Sequence, residues 1–88
     1  MATVWVPSLL RAWTGGQSQI HAGGATLGQI IASLEGEFPG FAERVCTPNG
    51  DLRPGITAAI DGTVATEGRR TAVGADSEVV LLAAISGG

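Results

Sequence analysis

The sequence has no lysine and no tyrosine, and it has a single histidine and a single cysteine. Five arginines stand against eight acidic residues, so the formal net charge is −3. Aromatic residues make up only 5% of the chain. Nucleic-acid-binding proteins typically carry a basic surface, often with aromatic side chains for base stacking. The composition therefore argues against nucleic acid as a partner.

Long hydrophobic runs are also missing. A membrane-spanning helix needs about 20 consecutive apolar residues, and no stretch of this sequence approaches that length. The N-terminus lacks the basic region and cleavage site of a signal peptide. Cys46 stands alone, so it has no partner for an internal disulfide or a cysteine-based metal cluster. These features predict a cytoplasmic protein without a membrane partner.

The absence of lysine has two interpretations that the sequence leaves open. One is genomic base composition, which favours Arg, Ala and Gly. The other is functional, because a chain that carries an activated acyl group at its end avoids attacking itself if it has no amine side chains.

The sequence has few side chains of the types that usually act as catalytic groups. His21 and Cys46 are far apart in the chain and predict no catalytic pair. Glu35 and Glu37 lie two residues apart on the predicted helix, so they point to different faces and are expected to be solvated surface charges. The glycine pairs lack the spacing of a phosphate-binding loop. We therefore expect no enzyme activity, no metal site and no bound cofactor.

The N-terminal half predicts two strands followed by a helix. Thr3–Val6 and Gln17–Ala22 are the strand candidates, separated by a short helical turn. The helix begins after Thr26, which with Gln29 forms a capping-box pattern, and it ends at Pro39-Gly40. Its apolar residues form one stripe that faces a sheet: Leu27, Ile30, Ile31, Leu34 and Phe38.

The C-terminal half predicts a short helical turn, "FAERVC", and three further strands. "ITAAI" is the third strand, Val64 begins a short fourth, and residues 78–85 form the last. Seven consecutive apolar residues in the last strand predict burial on both sides, at the centre of the sheet. The order predicts an α+β domain covering residues 1–88, with a flexible C-terminal tail at 86–88.

One reactive group remains in the chain, the α-carboxylate of Gly88. It is ionised at pH 7, with a reference pKa of about 3.3–3.7, and is a poor electrophile until one oxygen becomes a leaving group. Acyl adenylation would achieve this, but a partner must supply the ATP chemistry. Gly87 and Ser86 are small enough to follow Gly88 into a narrow channel. A frayed end with small residues is the alternative.

The whole chain resembles the ubiquitin-like sulfur carriers of the MoaD/ThiS family, which have the β-grasp fold. The resemblance lies in "VPSLLR", "TGG", "TLGQIIASLEGEFPG", "LRPGITAAIDG", the last strand and the final "GG". Within the family the sequence is most similar to the CysO-type carriers of cysteine biosynthesis.

The resemblance implies that Gly88 is adenylated by an E1-like enzyme with Mg-ATP and then converted to a thiocarboxylate. The loaded carrier would donate its sulfur to a cysteine synthase-like or ThiG-like synthase, for cysteine, a cofactor or a natural product. Ser86 and Gly87 would occupy the channel. The resemblance also implies a partner-docking surface formed by the apolar residues Pro7, Val64 and Leu82. Arg11 and Arg53 would be polar contacts at its rim.

Two other functions remain open. The chain could be a protein modifier, joined through Gly88 to lysines of other proteins, because the activation step is the same. It could also be an interaction domain whose final glycines do no chemistry. Departures from the family pattern, such as Gly74-Ala75-Asp76 in place of an Asp-Gly-Asp turn, leave the pathway undetermined.

Overall fold

A computed structural model describes residues 1–83 of the chain. Within them, five strands form a single sheet, accompanied by two α-helices and two 3-10 helices. The strands are β1 (Ala2–Trp5), β2 (Gln19–Ala22), β3 (Ile56–Ile60), β4 (Thr63–Val64) and β5 (Glu78–Ala83). The helices are α1 (Leu27–Glu37) and α2 (Phe41–Val45), and the 3-10 helices span Ser8–Trp13 and Gly68–Arg70.

The strand order is β2-β1-β5-β3-β4, so β5 lies at the centre. It runs parallel to β1 and antiparallel to β3, whereas the β1–β2 and β3–β4 pairs are antiparallel. The first and last strands of the chain are therefore neighbours. This confirms the prediction of a mixed sheet with the last strand at its centre.

Helix α1 begins where the capping pattern predicts. The Thr26 hydroxyl accepts a hydrogen bond from the Gln29 backbone N–H at 3.2 Å. The Gln29 side chain also accepts a hydrogen bond, as a capping box predicts. Its donor is the Ala25 N–H at 2.8 Å, one residue before Thr26, whose N–H is the expected donor. The helix ends before Gly40, which has a φ of 98° that glycine adopts without strain. Both helix boundaries are thus set by local sequence.

The hydrophobic core lies between α1 and one face of the sheet. Leu27, Ile30, Ile31 and Leu34 of α1 are buried, as the stripe predicts. They face alternate residues of the strands, because successive side chains of a strand point to opposite sides. The buried strand residues are Ala2, Val4, Ile20, Ala22, Ala58, Ile60, Val79 and Leu81. Phe38 is only partly buried and follows the last helical residue.

The prediction that β5 is buried on both sides is wrong. Val79 and Leu81 are buried, but Val80 is half-buried and Leu82 is 50% exposed. The two α-helices pack on one face only, so the alternate residues of β5 lie on an open face. An unbroken apolar run does not reveal this, since the open-face residues are apolar too.

Element boundaries differ by small amounts from the predictions. β1 spans Ala2–Trp5 instead of residues 3–6, although the Val6 N–H still bonds to the Ser18 carbonyl at 2.8 Å. β2 begins at Gln19, not at residue 17. The predicted helical turn "SLLRAW" is a six-residue 3-10 helix. The predicted end of β5 at residues 84–85 falls outside the described residues.

One carboxylate joins the turn between β3 and β4 to the start of β5. Asp61 has a φ of 52°, in the left-handed region that Asp and Asn tolerate best among non-glycine residues. Its carboxylate accepts bonds from the Glu78 N–H at 2.9 Å and the Ser77 hydroxyl at 2.7 Å. These bonds, the Glu78 amide first and the Ser77 hydroxyl second, lower the pKa of Asp61. Asp61 therefore ties the β3–β4 turn to the start of β5.

Candidate functional site

The candidate site surrounds Ala83, the last described residue of β5. In the β3–β5 ladder, Ala83 pairs with Ile56 and Leu82 with Thr57. On the other side, Trp5 pairs with Val80, and the parallel β1 chain continues past that pair towards Pro7. The described part of β5 therefore ends between the residues that follow β1 and those that precede β3.

The predicted reactive and channel residues, Gly88, Gly87 and Ser86, lie outside the described residues. Their roles stay predictions. We call Ala83, the last described residue of the central strand, the base of the tail.

Pro7 and Arg11 lie on the β1 side of this base. Pro7 is half-buried, and its carbonyl accepts the Leu10 N–H at 2.9 Å, which starts the first 3-10 helix. Arg11 is exposed, and its Nε donates to the Val6 carbonyl at 3.1 Å. That bond anchors the guanidinium next to the end of β1, so the helical turn holds Arg11 beside the base of the tail.

Arg53 lies on the β3 side. Its Nε donates to the Glu43 carbonyl, at 2.6 Å, and its own carbonyl accepts the Ile56 N–H at 2.9 Å. Ile56 is the residue that pairs with Ala83, so Arg53 is attached by backbone bonds to the end of the β3–β5 ladder. The backbone of Arg53 thus lies next to the end of the described β3–β5 ladder, but its side chain is directed to α2 and lines a groove on the helical side.

Val64 and Leu82 lie on the open face of the sheet. Val64 is 55% exposed and pairs with Ala59, which pairs in turn with Val80. Leu82 is two residues further along β5 on the same face. The fold therefore brings these two predicted docking residues, separated by 18 positions in the sequence, onto one surface next to the base of the tail.

Two exposed apolar residues near this surface were not among the predicted docking residues. Trp5 is 38% exposed on the open face, and Leu9 is exposed on the first 3-10 helix. The alternation of β1, with Val4 and Val6 facing one way and Trp5 the other, was the signal for Trp5. Leu9 had no such signal, because a 3-10 helix of six residues has no long apolar period to interpret.

The two potential nucleophile and base residues do not meet. His21 is exposed on β2, where its Nδ1 lies 3.4 Å from the Thr3 hydroxyl. Cys46 is half-buried at the end of α2, and burial raises the pKa of its thiol, against the smaller opposing effects of Arg53 and Arg69. One residue lies on the sheet and the other on the helical side, so they form no catalytic pair.

The prediction that Glu35 is a solvated charge is wrong. Its carboxylate accepts hydrogen bonds from the Gly40 N–H at 3.0 Å and the Ala42 N–H at 2.9 Å. The bond from Ala42, followed by that from Gly40, lowers the pKa of Glu35. Glu35 therefore joins α1 to the start of α2, whereas Glu37 is exposed as predicted.

A groove of about 560 Å³ lies on the helical side of the molecule. Gly28 and Ala32 of α1 form one wall, and Ala42 and Cys46 lie opposite. Arg69 packs closely on α1, because a Cβ at Gly28 would lie 3.1 Å from the Arg69 Cβ. This groove is separate from the open sheet face that carries Val64 and Leu82.

Within residues 1–83, no group of three or more His, Cys, Asp or Glu side chains is arranged to hold a metal ion. None of the helices that the structure describes is long and apolar enough to cross a membrane.

Comparison with known proteins identifies the family. Residues 4–88 match the model of the ThiS family. The chain is 34% identical over 90 residues to the sulfur carrier protein CysO of Mycobacterium tuberculosis, covering 98% of this chain and 97% of that protein. The CysO of Mycobacterium bovis matches to the same extent.

Solved structures agree with this assignment. The crystal structure of M. tuberculosis CysO has a TM-score of 0.90 and 32% identity, covering 97% of this chain and 100% of that one. CysO in the Amycolatopsis orientalis BexX/CysO complex has a TM-score of 0.92 and 28% identity over both full chains. SAMP1 of Haloferax volcanii has a TM-score of 0.77 and 26% identity, covering 99% and 98%. The fold is therefore the β-grasp, and the chain belongs to the ThiS family.

Proposed function

We propose that this chain is a sulfur carrier protein whose Gly88 carboxylate is adenylated by an E1-like enzyme and then converted to a thiocarboxylate. The observation that carries the proposal is the 34% identity to a named sulfur carrier over nearly the whole of both chains. The thiocarboxylate then donates its sulfur to a biosynthetic enzyme. In this role the chain is a co-substrate, and its partners perform the catalysis.

The chemistry follows from the electrophilicity of the terminal carbonyl. A carboxylate oxygen of Gly88 attacks the α-phosphate of ATP on the partner enzyme, and pyrophosphate leaves. A sulfur donor then adds to the acyl carbonyl, and AMP departs with the original carboxylate oxygen. The product has one sulfur in place of one oxygen. The Mg-ATP is bound by the partner, and the carrier contributes the carboxylate and the surface that presents it.

The chain from Ala83 to Gly88 is long enough for this task. Five residues span at most about 17–18 Å when extended. The carboxylate can thus enter an active site whose mouth contacts the end of β5. Ordering a glycine segment costs conformational entropy, so the partner must gain binding energy elsewhere on the carrier.

The proposed docking surface surrounds the base of the tail. Val64 and Leu82 supply exposed apolar area on the open sheet face, and Pro7 adjoins it at the end of β1. Arg11, bonded to the Val6 carbonyl, and Arg53, bonded to the Glu43 carbonyl of α2, would supply positive charge at the rim. A partner with an apolar patch and acidic residues at its channel mouth complements this surface.

The proposed acceptor is a cysteine synthase-like or ThiG-like synthase, with cysteine synthesis as the first choice. The likeness to the CysO carriers supports this choice. The Amycolatopsis orientalis structure, in which CysO forms a complex with BexX, supports a direct complex between carrier and acceptor. Neighbouring genes for a pyridoxal-phosphate cysteine synthase would favour cysteine, and a thiazole or thiosugar synthase would favour the alternatives.

The test is ATP–pyrophosphate exchange with the cognate adenylating enzyme. Deleting Gly88 should abolish exchange while thermal unfolding stays unchanged. Intact mass spectrometry of the chain from its native cells should show a form heavier by about 16 Da, the difference between sulfur and oxygen. Exchange at the wild-type rate after the deletion would overturn the proposal.

A second candidate function is conjugation to other proteins, and the likeness to the small archaeal modifier protein SAMP1 favours it. Activation at Gly88 is the same, so the exchange assay does not separate the two. Isopeptide-linked adducts in native cells would identify a modifier, and the thiocarboxylate form would identify a carrier. A chain with one bulky residue added after Gly88 loses both functions but keeps the function of a simple interaction domain.

A further inference from the structure

Trp5 is a large aromatic residue on the open face that neither the core nor the chemistry of the tail uses. The five strands place one residue each in a row across this face: Gln19, Trp5, Val80, Ala59 and Val64. Val80 and Ala59 in the middle of the row are half-buried. Trp5 and Val64 on either side of them are more exposed, at 38% and 55%.

Hydrogen bonding orients the Trp5 ring. The indole Nε1–H donates to a carboxylate oxygen of Glu78 at 3.2 Å. Glu78 lies on the same face, two residues before Val80 on β5. The polar edge of the indole is thus directed towards the start of β5, away from the tail, and its ring remains 38% exposed beside Val80.

The position of Trp5 places it within reach of whatever accepts the tail. Trp5 pairs with Val80, which precedes Ala83 by three residues on the neighbouring strand. Three residues along the strand and one strand spacing across the sheet separate Trp5 from the base of the tail by about 11 Å. A standard interface covers about 800 Å² on each partner, equivalent to a disc of about 16 Å radius. A partner centred on the end of β5 and seated on the open face therefore covers Trp5.

We propose that Trp5 is a specificity-determining residue of this docking surface. Its indole enters an apolar recess on the adenylating enzyme, and Glu78 positions the ring for that recess. The proposal rests on the proposed function, because it takes the tail-activating enzyme as the occupant. Tryptophan residues with well-packed partners dominate binding energy at many interfaces, which fits one exposed indole on an otherwise small-residue row.

The first test compares KM and kcat for the carrier in ATP–pyrophosphate exchange. Trp5→Ser should raise the KM at least about tenfold, as expected for a hot-spot residue, and leave kcat within about twofold because the tail is intact. Trp5→Phe should recover most of the loss. Glu78→Gln should raise KM by less than Trp5→Ser, since the ring remains but its orientation is relaxed.

His21→Ser is the matched control. His21 lies on the same face but level with Glu78 and two strands from β5, about 19 Å from the base of the tail. Its KM should equal that of the wild type. A Trp5→Ser chain that folds normally by thermal unfolding and has the wild-type KM would overturn the proposal.

A second measurement separates this proposal from the proposed function. In a Trp13→Phe background, Trp5 is the only tryptophan of the chain. Its emission should shift to the blue when the adenylating enzyme is added to a chain lacking Gly88, with the Trp5→Phe, Trp13→Phe chain subtracted as the blank. Absence of a shift would refute the role of Trp5. Absence of exchange with the intact chain would instead refute the proposed function.

Discussion

The two faces of the sheet are built from alternate residues of the same strands, yet they have different roles. The inner face, with Val79 and Leu81, is sealed by α1. The outer face also carries apolar residues, among them Trp5, Val80 and Leu82, but neither of the two described α-helices covers it. Apolar character alone therefore does not distinguish a core from a docking surface. The difference is set by which side the helix covers.

The largest expected difference between the two faces is in the free energy of unfolding after truncation of neighbouring leucines, one on each face. Leu81 is 2% exposed and Leu82 is 50% exposed. Leu81→Ala should lower the free energy of unfolding by about 3–5 kcal/mol, because it leaves a cavity in the core. Leu82→Ala should lower it by less than about 1 kcal/mol, because half of its surface is already in water.

Urea unfolding of both variants measures this contrast. The exchange assay should show the reverse order. At a temperature where both variants are folded, Leu82→Ala should weaken partner binding more than Leu81→Ala does. Equal losses of stability in the two variants would mean that the open face is covered in the free protein.

A smaller loss of stability is expected when the N-cap of α1, the helix that covers the inner face, is removed. Thr26→Ala removes the side-chain acceptor for the Gln29 N–H. N-cap losses of this type cost about 1 kcal/mol, which corresponds to a drop in melting temperature of about 4–8 °C for a domain of this size. Thr26→Ser serves as the control, since it keeps the hydroxyl. Partner binding should be unaffected by either change, because Thr26 is not on the open face.

The smallest effect, and the one that depends on pH, concerns Asp61 in the β3–β4 turn, which is hydrogen-bonded to the start of β5. Hydrogen bonds from Glu78 and Ser77 lower its pKa in the folded protein. The stabilisation is therefore fully present above the unfolded pKa of about 3.9 and is lost as pH falls through the lower folded value. Asp61→Asn keeps the turn geometry but removes the titrating group.

Stability profiles between neutral and acidic pH test this expectation. The wild type should lose more stability on acidification than Asp61→Asn, and the two should converge at the acid end. Parallel profiles would show that these hydrogen bonds do not favour the ionised carboxylate.

Local signals in the sequence account for much of the fold. Thr26 with Gln29 marks the start of α1, and Pro39-Gly40 marks its end. The succession of strands and helix along the chain was predictable from turn signals, and the central place of β5 from its apolar run. The family was predictable because the resemblance extends over the whole chain.

The site was predictable only in part. The docking residues Pro7, Arg11, Arg53, Val64 and Leu82 came from the resemblance, and their role stays a prediction. Trp5 and Leu9 were not among the predicted docking residues. The hydrogen-bonding role of Glu35 was missed as well, because the groups that donate to its carboxylate, the N–H groups of Gly40 and Ala42, follow the helix and are brought back only by the turn into α2.

By itself, the sequence determined the boundaries of α1 and the family, because these depend on neighbouring residues or on the whole pattern. Only the tertiary structure decided which side of β5 remains open and which distant residues meet there. Trp5, Val64 and Leu82 share a surface because strand pairing joins three separate parts of the chain in one register. Such pairing depends on long-range hydrogen bonds and on the side that α1 covers, neither of which a local pattern specifies.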